Sequence, residues 1–285
     1  MTQKTQVPGR VSVIVPTRNS AEFLPHCLDS LYSQTYLDVE VIVVDNYSSD
    51  GTREIATSYG CDVYTIGPER SSQVNYGVSQ STGEFIYRVD SDCVVDPIIV
   101  EECVSLCRGG AQVVAVWCVS DPTGGFWAAV RHFERRMYLG DPLVVGARFF
   151  PRSVFDSLGG FDESLVAGED YDLHNRALRA RMEVAFTNSG EINLGDPRTL
   201  SEIVIKAFYY GRQFPAFVAK NPDRGLRQLL PFRGAYVRNA RQFVRHPILT
   251  LGFLVMQTSK YLAGAVGYVA GVVTKHEPVS KSLRK

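Results

Sequence analysis

The stretch Val11-Ser12-Val13-Ile14-Val15-Pro16-Thr17-Arg18-Asn19 decides the architecture. Its first five residues are four branched aliphatics and a serine. Such a run is too short for a core helix and suits a strand buried on both faces. Pro16 closes it, and Thr17, Arg18 and Asn19 place polar groups at its carboxyl end. The pattern then repeats. Val39 to Val44 reads as a second strand, closed by Asp45 and Asn46. Asp62 to Ile66 reads as a third, and Glu84 to Val89 as a fourth that ends in Asp90-Ser91-Asp92. Helical patterns separate them. One runs from Asn19 or Ser20 to about Gln34, with Leu24, Leu28 and Leu31 on one face. A second starts at Ser49 or Asp50 and stops at Gly60. A third covers Ser71 to Ser79. This alternation predicts an α/β fold: a mostly parallel sheet with helices on both faces. Sheets of this kind bind ligands at the carboxyl ends of their strands, where the polar residues cluster here.

Further along, a helix is expected from Pro97 to Cys107 and a strand over Val113 to Val119. Another helix carries Phe126, Trp127, Phe133 and Tyr138. Val144 to Phe150 reads as a strand, and Gly168-Glu169-Asp170 opens a helix to about Arg181. The divisions expected are a tail (1–10), a catalytic domain (11–200) and a helical region (201–285).

Lys+Arg and Asp+Glu both number 30, so no net field argues for nucleic acid as a partner. The six cysteines form no CxxC pair and read as small buried residues in a reducing compartment. Met1 to Arg10 lacks an apolar signal region, which points to the cytoplasm.

Asp90 and Asp92 are two apart, so a continuing strand puts both on one face. Two such carboxylates repel unless a cation lies between them. Hard oxygen ligands suit Mg²⁺ or Mn²⁺, which can also hold a diphosphate. The bland alternative is a turn with two solvated aspartates.

From here the chain resembles the inverting family 2 glycosyltransferases of GT-A fold, over Val11 to about Arg181. Val11 to Asn19 looks like that family's first strand and nucleotide-binding turn, and Glu40 to Asn46 like its second. Arg70, Gln73 and Asn75 precede Gly83-Glu84 as in the helix before the family's DxD strand. Gly159-Gly160-Phe161-Asp162-Glu163 and Gly168-Glu169-Asp170 resemble its GGFDE and ED signatures. The resemblance implies a nucleotide-sugar donor, UDP-linked first, with GDP and dTDP as alternatives. It implies donor contacts from Pro16, Thr17, Arg18, Asn19, Asp45, Arg70, Gln73, Asn75, Asp90 and Ser91. It implies a Mg²⁺ or Mn²⁺ ion at Asp92 and Asp90, and Asp170 as the base that deprotonates the acceptor hydroxyl. Glu169 is the alternative base or an acceptor ligand. One departure stands out: many relatives carry a histidine after the ED helix, where this chain reads Glu191 to Arg198. Asn193, Asp196 or Arg198 are the substitutes on offer. A dinucleotide oxidoreductase is disfavoured, because no GxGxxG follows the first strand. The remaining alternative is a non-catalytic binding or scaffold protein of the same fold.

The chain turns basic after Arg212. Arg238, Arg241 and Arg245 would share a face of one helix, and Pro247 to Val273 is mainly apolar. A basic segment beside an apolar one suits an anionic membrane surface. Lys260 sits mid-segment and disfavours a spanning helix. The expectation is a peripheral protein on the inner face of the membrane. Its acceptor would be a glycan or a polyprenyl-phosphate-linked molecule, and Arg198 or these arginines would meet phosphate.

Overall fold

The computed structural model describes residues 5–141, 143, 146–231 and 233–273. The first half alternates as expected: β1 (Val7–Thr17), α1 (Leu24–Tyr32), β2 (Val39–Asp45), α2 (Thr52–Ser58), β3 (Asp62–Thr65), α3 (Arg70–Gln80) and β4 (Gly83–Arg88). Then come β5 (Cys93–Val95), α4 (Ile99–Arg108), β6 (Val113–Ser120), α5 (Phe126–Met137), β7 (Ala147–Pro151), α6 (Arg152–Ser157), α7 (Glu169–Arg179) and β8 (Val184–Asn193). Five helices end the described chain: α8 (Leu200–Lys220), α9 (Gly225–Leu229), α10 (Gly234–Arg238), α11 (Ala240–Arg245) and α12 (Pro247–Val273).

One sheet holds all eight strands in the order β3-β2-β1-β4-β7-β6-β8-β5. β1, β2, β3 and β4 pair in parallel, as do β6 and β8. β7 runs antiparallel to β4 and β6, and β5 antiparallel to β8. Side chains alternate between two cores, as the period of a strand requires. Val11, Val13 and Val15 pack with Leu24, Leu28 and Ile99 on one face. Ile14, Ile42 and Ile86 pack with Val74, Phe150 and Leu173 on the other.

Three expectations change. α1 begins at Leu24, not at Asn19 or Ser20. Ser20 is instead spent on the site, where its hydroxyl meets that of Ser91 at 2.8 Å. The strand expected from Val144 begins at Ala147, and Val144 itself lies outside the described residues. The basic run is not one helix. It breaks at Asn239 into α10 and α11, so Arg238 is set apart from Arg241 and Arg245.

α12 lies along α8 because glycines let the backbones meet. A Cβ at Gly267 would stand 2.3 Å from the Phe208 carbonyl, and one at Gly211 2.3 Å from that of Gly264. The other face of α12 reaches α5. Phe253 and Met256 join Val130, Phe133 and Ile203 in a third core. Lys260 Nζ lies 2.6 Å from Glu134 Oε1. Burial alone would raise the Glu134 carboxyl, but Lys260, Arg131 and Tyr138 bring it down to about 2. Lys260 therefore docks the helix onto the domain. Among the described residues, no helix is long and apolar enough to cross a membrane.

Candidate active site

The carboxyl ends of β1, β2 and β3 finish in register, with Thr17 opposite Asp45 and Asp45 opposite Thr65. Asp45 is fully buried. Its Oδ1 accepts from Thr17 Oγ1 at 3.1 Å, and its Oδ2 from Ser48 N at 2.9 Å. Gln73 Nε2 donates to the Thr17 carbonyl at 3.0 Å and to the Val44 carbonyl at 2.6 Å. Asn75 exchanges hydrogen bonds with the backbone of Phe161 at 2.8 and 2.9 Å, which pins the GGFDE loop to α3. These three side chains brace the turns from below, and Pro16 is buried with them. Arg18 and Asn19 are exposed at the rim. Asn19 takes a left-handed φ of 50°, and its Oδ1 accepts from Ser49 N at 2.9 Å.

The charged centre gathers residues from five distant segments. Arg88 Nη2 lies 2.6 Å from Asp90 Oδ1 and 4.0 Å from Glu169 Oε1. Arg70 Nη1 lies 3.2 Å from Glu169 Oε1 and 3.7 Å from Asp90 Oδ1. Arg148 Nη1 lies 3.2 Å from Asp90 Oδ2 and 2.8 Å from Glu191 Oε2. Tyr87 also donates to Glu191, at 2.7 Å. Arg148 is thus a largely buried cross-link between Asp90 and Glu191. Burial raises the Asp90 carboxyl, but Arg88, Arg70 and Arg148 overcome it and hold it well below the usual range. Glu169 is buried and held above its ordinary value. Burial and neighbouring Asp170 outweigh Arg70 and Arg88.

Asp170 stands beside Glu169 in the first turn of α7, partly exposed. Gly168 enters that helix with φ 79°, where a Cβ would strike Phe217. The Asp170 carboxylate lies against Gly146, where a Cβ would be 2.8 Å from Oδ2.

Asp92 has no arginine within ion-pair distance among the described residues. Burial and the charge of Asp90 push its carboxyl up. A half-buried carboxylate with acidic neighbours fits a hard divalent cation, so the donor set suits Mg²⁺ or Mn²⁺ through Asp92. Both oxygens of Asp90 are already taken by arginine. A second group that could hold a metal is Cys93, Cys118 and Glu191, whose ligand atoms lie within 4.8 Å of one another. Arg135 at 3.3 Å from Cys118 Sγ and Arg148 on Glu191 already supply its positive charge.

Beside Asp92 opens a cleft of about 620 Å³, lined by Glu22, Leu194, Gly195, Lys206, Tyr209 and Tyr210 among others. Asp196 closes one side. Arg131 at 2.9 Å and Arg135 at 3.1 Å grip it, against the cost of burial, and bring it to about 2. Arg198 sits on the rim, 3.6 Å from Glu22. Sequence reasoning missed Arg88, Arg131, Arg135, Glu191 and Lys206. No local motif marks them, and only the fold brings Arg88 and Glu191 to the charged centre, Arg131 and Arg135 to Asp196, and Lys206 to the cleft.

The chain's residues 12–156 match the family model described as glycosyl transferase family 2. The chain belongs to glycosyl transferase family 2. This family 2 chain is 30% identical over 225 residues to the glycosyltransferase AglE of Haloferax volcanii, covering 71% of this chain and 72% of that protein. It is 30% identical over 196 residues to an uncharacterized glycosyltransferase of Rickettsia typhi. That match covers 63% of this chain and 61% of the relative. In three dimensions it resembles a mannosyltransferase from Pyrobaculum calidifontis solved with GDP-Man and Mn²⁺. The TM-score is 0.65 at 18% identity, over 94% of this chain and 89% of that one. The shared architecture is the GT-A fold.

Proposed function

We propose that the protein transfers a sugar from a nucleoside diphosphate sugar to an acceptor hydroxyl, with inversion at the anomeric carbon. One observation carries this reading. Arg70 and Arg88 tie the strand-tip Asp90 to Glu169 at the start of α7, so that Asp92 and Asp170 belong to one charged centre. Inversion needs a base on the face of the sugar opposite the leaving group. Asp170 takes that role because it is the partly exposed acid of the pair and, among the described residues, no arginine forms an ion pair with it. Glu169, held by Arg70, positions it. Asp92 is the principal ligand for Mg²⁺ or Mn²⁺, with Asp90 beside it. When bound, that ion supplies positive charge to the departing diphosphate. The turn built by Pro16, Thr17, Arg18, Asn19 and Asp45, with Gln73, Asn75 and Ser91 beneath, shapes the donor's nucleoside side. UDP is the first donor nucleotide to test. GDP follows, since the Pyrobaculum calidifontis neighbour was solved with GDP-Man.

The acceptor reading is a glycan or polyprenyl phosphate met at the cytoplasmic face of a membrane. Supporting it, Ile248, Leu251, Leu262, Val266 and Val269 form an exposed apolar stripe along α12. Arg241 and Arg245 are exposed on the preceding α11. Arg238 contributes less, since Asp141 lies 3.4 Å from it.

The test is product mass spectrometry with UDP-, GDP- and dTDP-sugars and MnCl₂, on the wild type, D92A and D170N. Product from the wild type should fall at least about 100-fold in D170N. Unchanged turnover in D92A and D170N would sink the proposal.

A further inference from the structure

We infer that the donor's diphosphate is bound by Lys206, so that α8 completes a site whose recognisable motifs all lie before it. This rests on the donor chemistry proposed above and adds a residue outside the family-matched stretch 12–156.

In the loop after β8 the family resemblance implies a histidine at the metal or diphosphate, and this chain has none there. Each substitute there is otherwise engaged. Asp196 is locked between Arg131, Arg135 and Ser120. Asn193 donates to Cys93 Sγ at 3.5 Å and touches the Asp92 carboxylate. Arg198 is drawn to the rim by Glu22. None of the three is a free cation.

Lys206 is one. It lines the same cleft as Gly195 and Asp196. Asp92 and Asp196 are the carboxylates whose fields reach it. It forms no ion pair or hydrogen bond with either, nor with any other described residue. Arg131 and Arg135 are committed to Asp196, which leaves Lys206 as an exposed cation on the cleft wall that no described residue pairs. An exposed ammonium there can exchange its water for the oxygen of a phosphate entering the cleft.

α8 also holds that face still. Thr199 caps it, its Oγ1 accepting from Glu202 N at 3.2 Å. Ile203, one turn before Lys206, is buried with Val130 and Phe133. Tyr210, one turn after, lines the cleft. On the far side α12 packs against Gly211. Lys206 is therefore presented to the cleft by a helix fixed on two sides. In the transfer step the bond from the anomeric carbon to the β-phosphate oxygen breaks, and its electron pair leaves with the diphosphate. The acceptor oxygen bonds the carbon, and its proton goes to Asp170. Lys206 donates to the phosphate that gains charge.

The experiment is calorimetry on the full chain with MnCl₂, using UDP, GDP and dTDP and the matching nucleosides. K206M should weaken the nucleoside diphosphate that the wild type binds by about tenfold or more. K206R should stay within about threefold of wild type, and nucleoside affinity should hold in both. The assignment is overturned if K206M binds the diphosphate like the wild type, or loses nucleoside and diphosphate equally. A wild type that binds none of the three overturns the donor reading itself, and this assignment with it.

Discussion

Asp170 and Asp92 each stand against a glycine with no room for a methyl group. A Cβ at Gly146 would lie 2.8 Å from Asp170 Oδ2, and one at Gly195 2.4 Å from Asp92 Oδ2. Neither glycine has a positive φ, so alanine suits its own backbone, but the whole aspartate side chain must move, since its Cβ would stand 2.9 Å away at Asp170 and 2.8 Å away at Asp92. G146A should therefore lower kcat, by up to about 100-fold, with little change in the KM for donor. G195A should raise the Mn²⁺ concentration needed for half-maximal binding of UDP or GDP. Thermal melts should fall modestly in both, with the folded state still dominant at the assay temperature. A kcat for G146A equal to wild type would show that Asp170 is not held by this contact. Asp90, Asp92, Glu169 and Asp170 were legible as candidates because strand, turn and helix signals surround them. The arginines were not legible as a set. Arg88 sits inside an apolar strand and Arg148 in another, and nothing local says that both point at Asp90.

At the scale of elements, the pair Glu134–Lys260 decides where α12 lies. K260M would leave Glu134 buried without its cation and should cost about 3–5 kcal/mol in urea unfolding, with E134Q/K260M recovering part of it. The pH dependence follows from Glu134. Its folded carboxyl lies at about 2 against an ordinary 4.5, despite burial, because of Lys260 and Arg131. That stabilisation is complete above pH 4.5 and is lost as pH falls from 4.5 toward 2. Burial also pulls Lys260 below its ordinary value, so the pair contributes less than Glu134 alone implies. Melting temperature should fall through this window in the wild type and less steeply in E134Q. Equal slopes would remove Glu134 as a cause. The parallel half of the sheet was readable from its apolar runs. β8 was not: Val184–Asn193 carries Thr187, Asn188, Ser189 and Glu191, and its register shifts opposite Ala115 and Trp117. Its place is set by pairing with β6 and β5, a tertiary effect that overrides weak local preference.

For the whole molecule, the open question is what meets the outer face of α12. Glycines seat one side of this helix on α8, and Phe253, Met256 and Lys260 seat another on α5. What remains outward is apolar: Ile248 is 74% exposed, Leu251 65%, Leu262 65% and Val269 62%. A stripe this long is costly in water and stable at a lipid interface, where nearby arginines add attraction to anionic headgroups. Arg241 and Arg245 are the cations to change, because Arg238 is partly committed to Asp141. Each basic residue near such a surface contributes about 1 kcal/mol. R241E/R245E should therefore cut partitioning onto vesicles of mixed neutral and anionic lipid by at least about 30-fold at low salt. L251S/V269S should weaken binding to neutral vesicles as well, since it removes apolar burial and leaves charge alone. Both variants should keep soluble turnover with a water-soluble acceptor, because neither stripe nor arginines reach the cleft. If wild type and R241E/R245E co-sediment equally with anionic vesicles, the outward face of α12 does not meet a charged membrane.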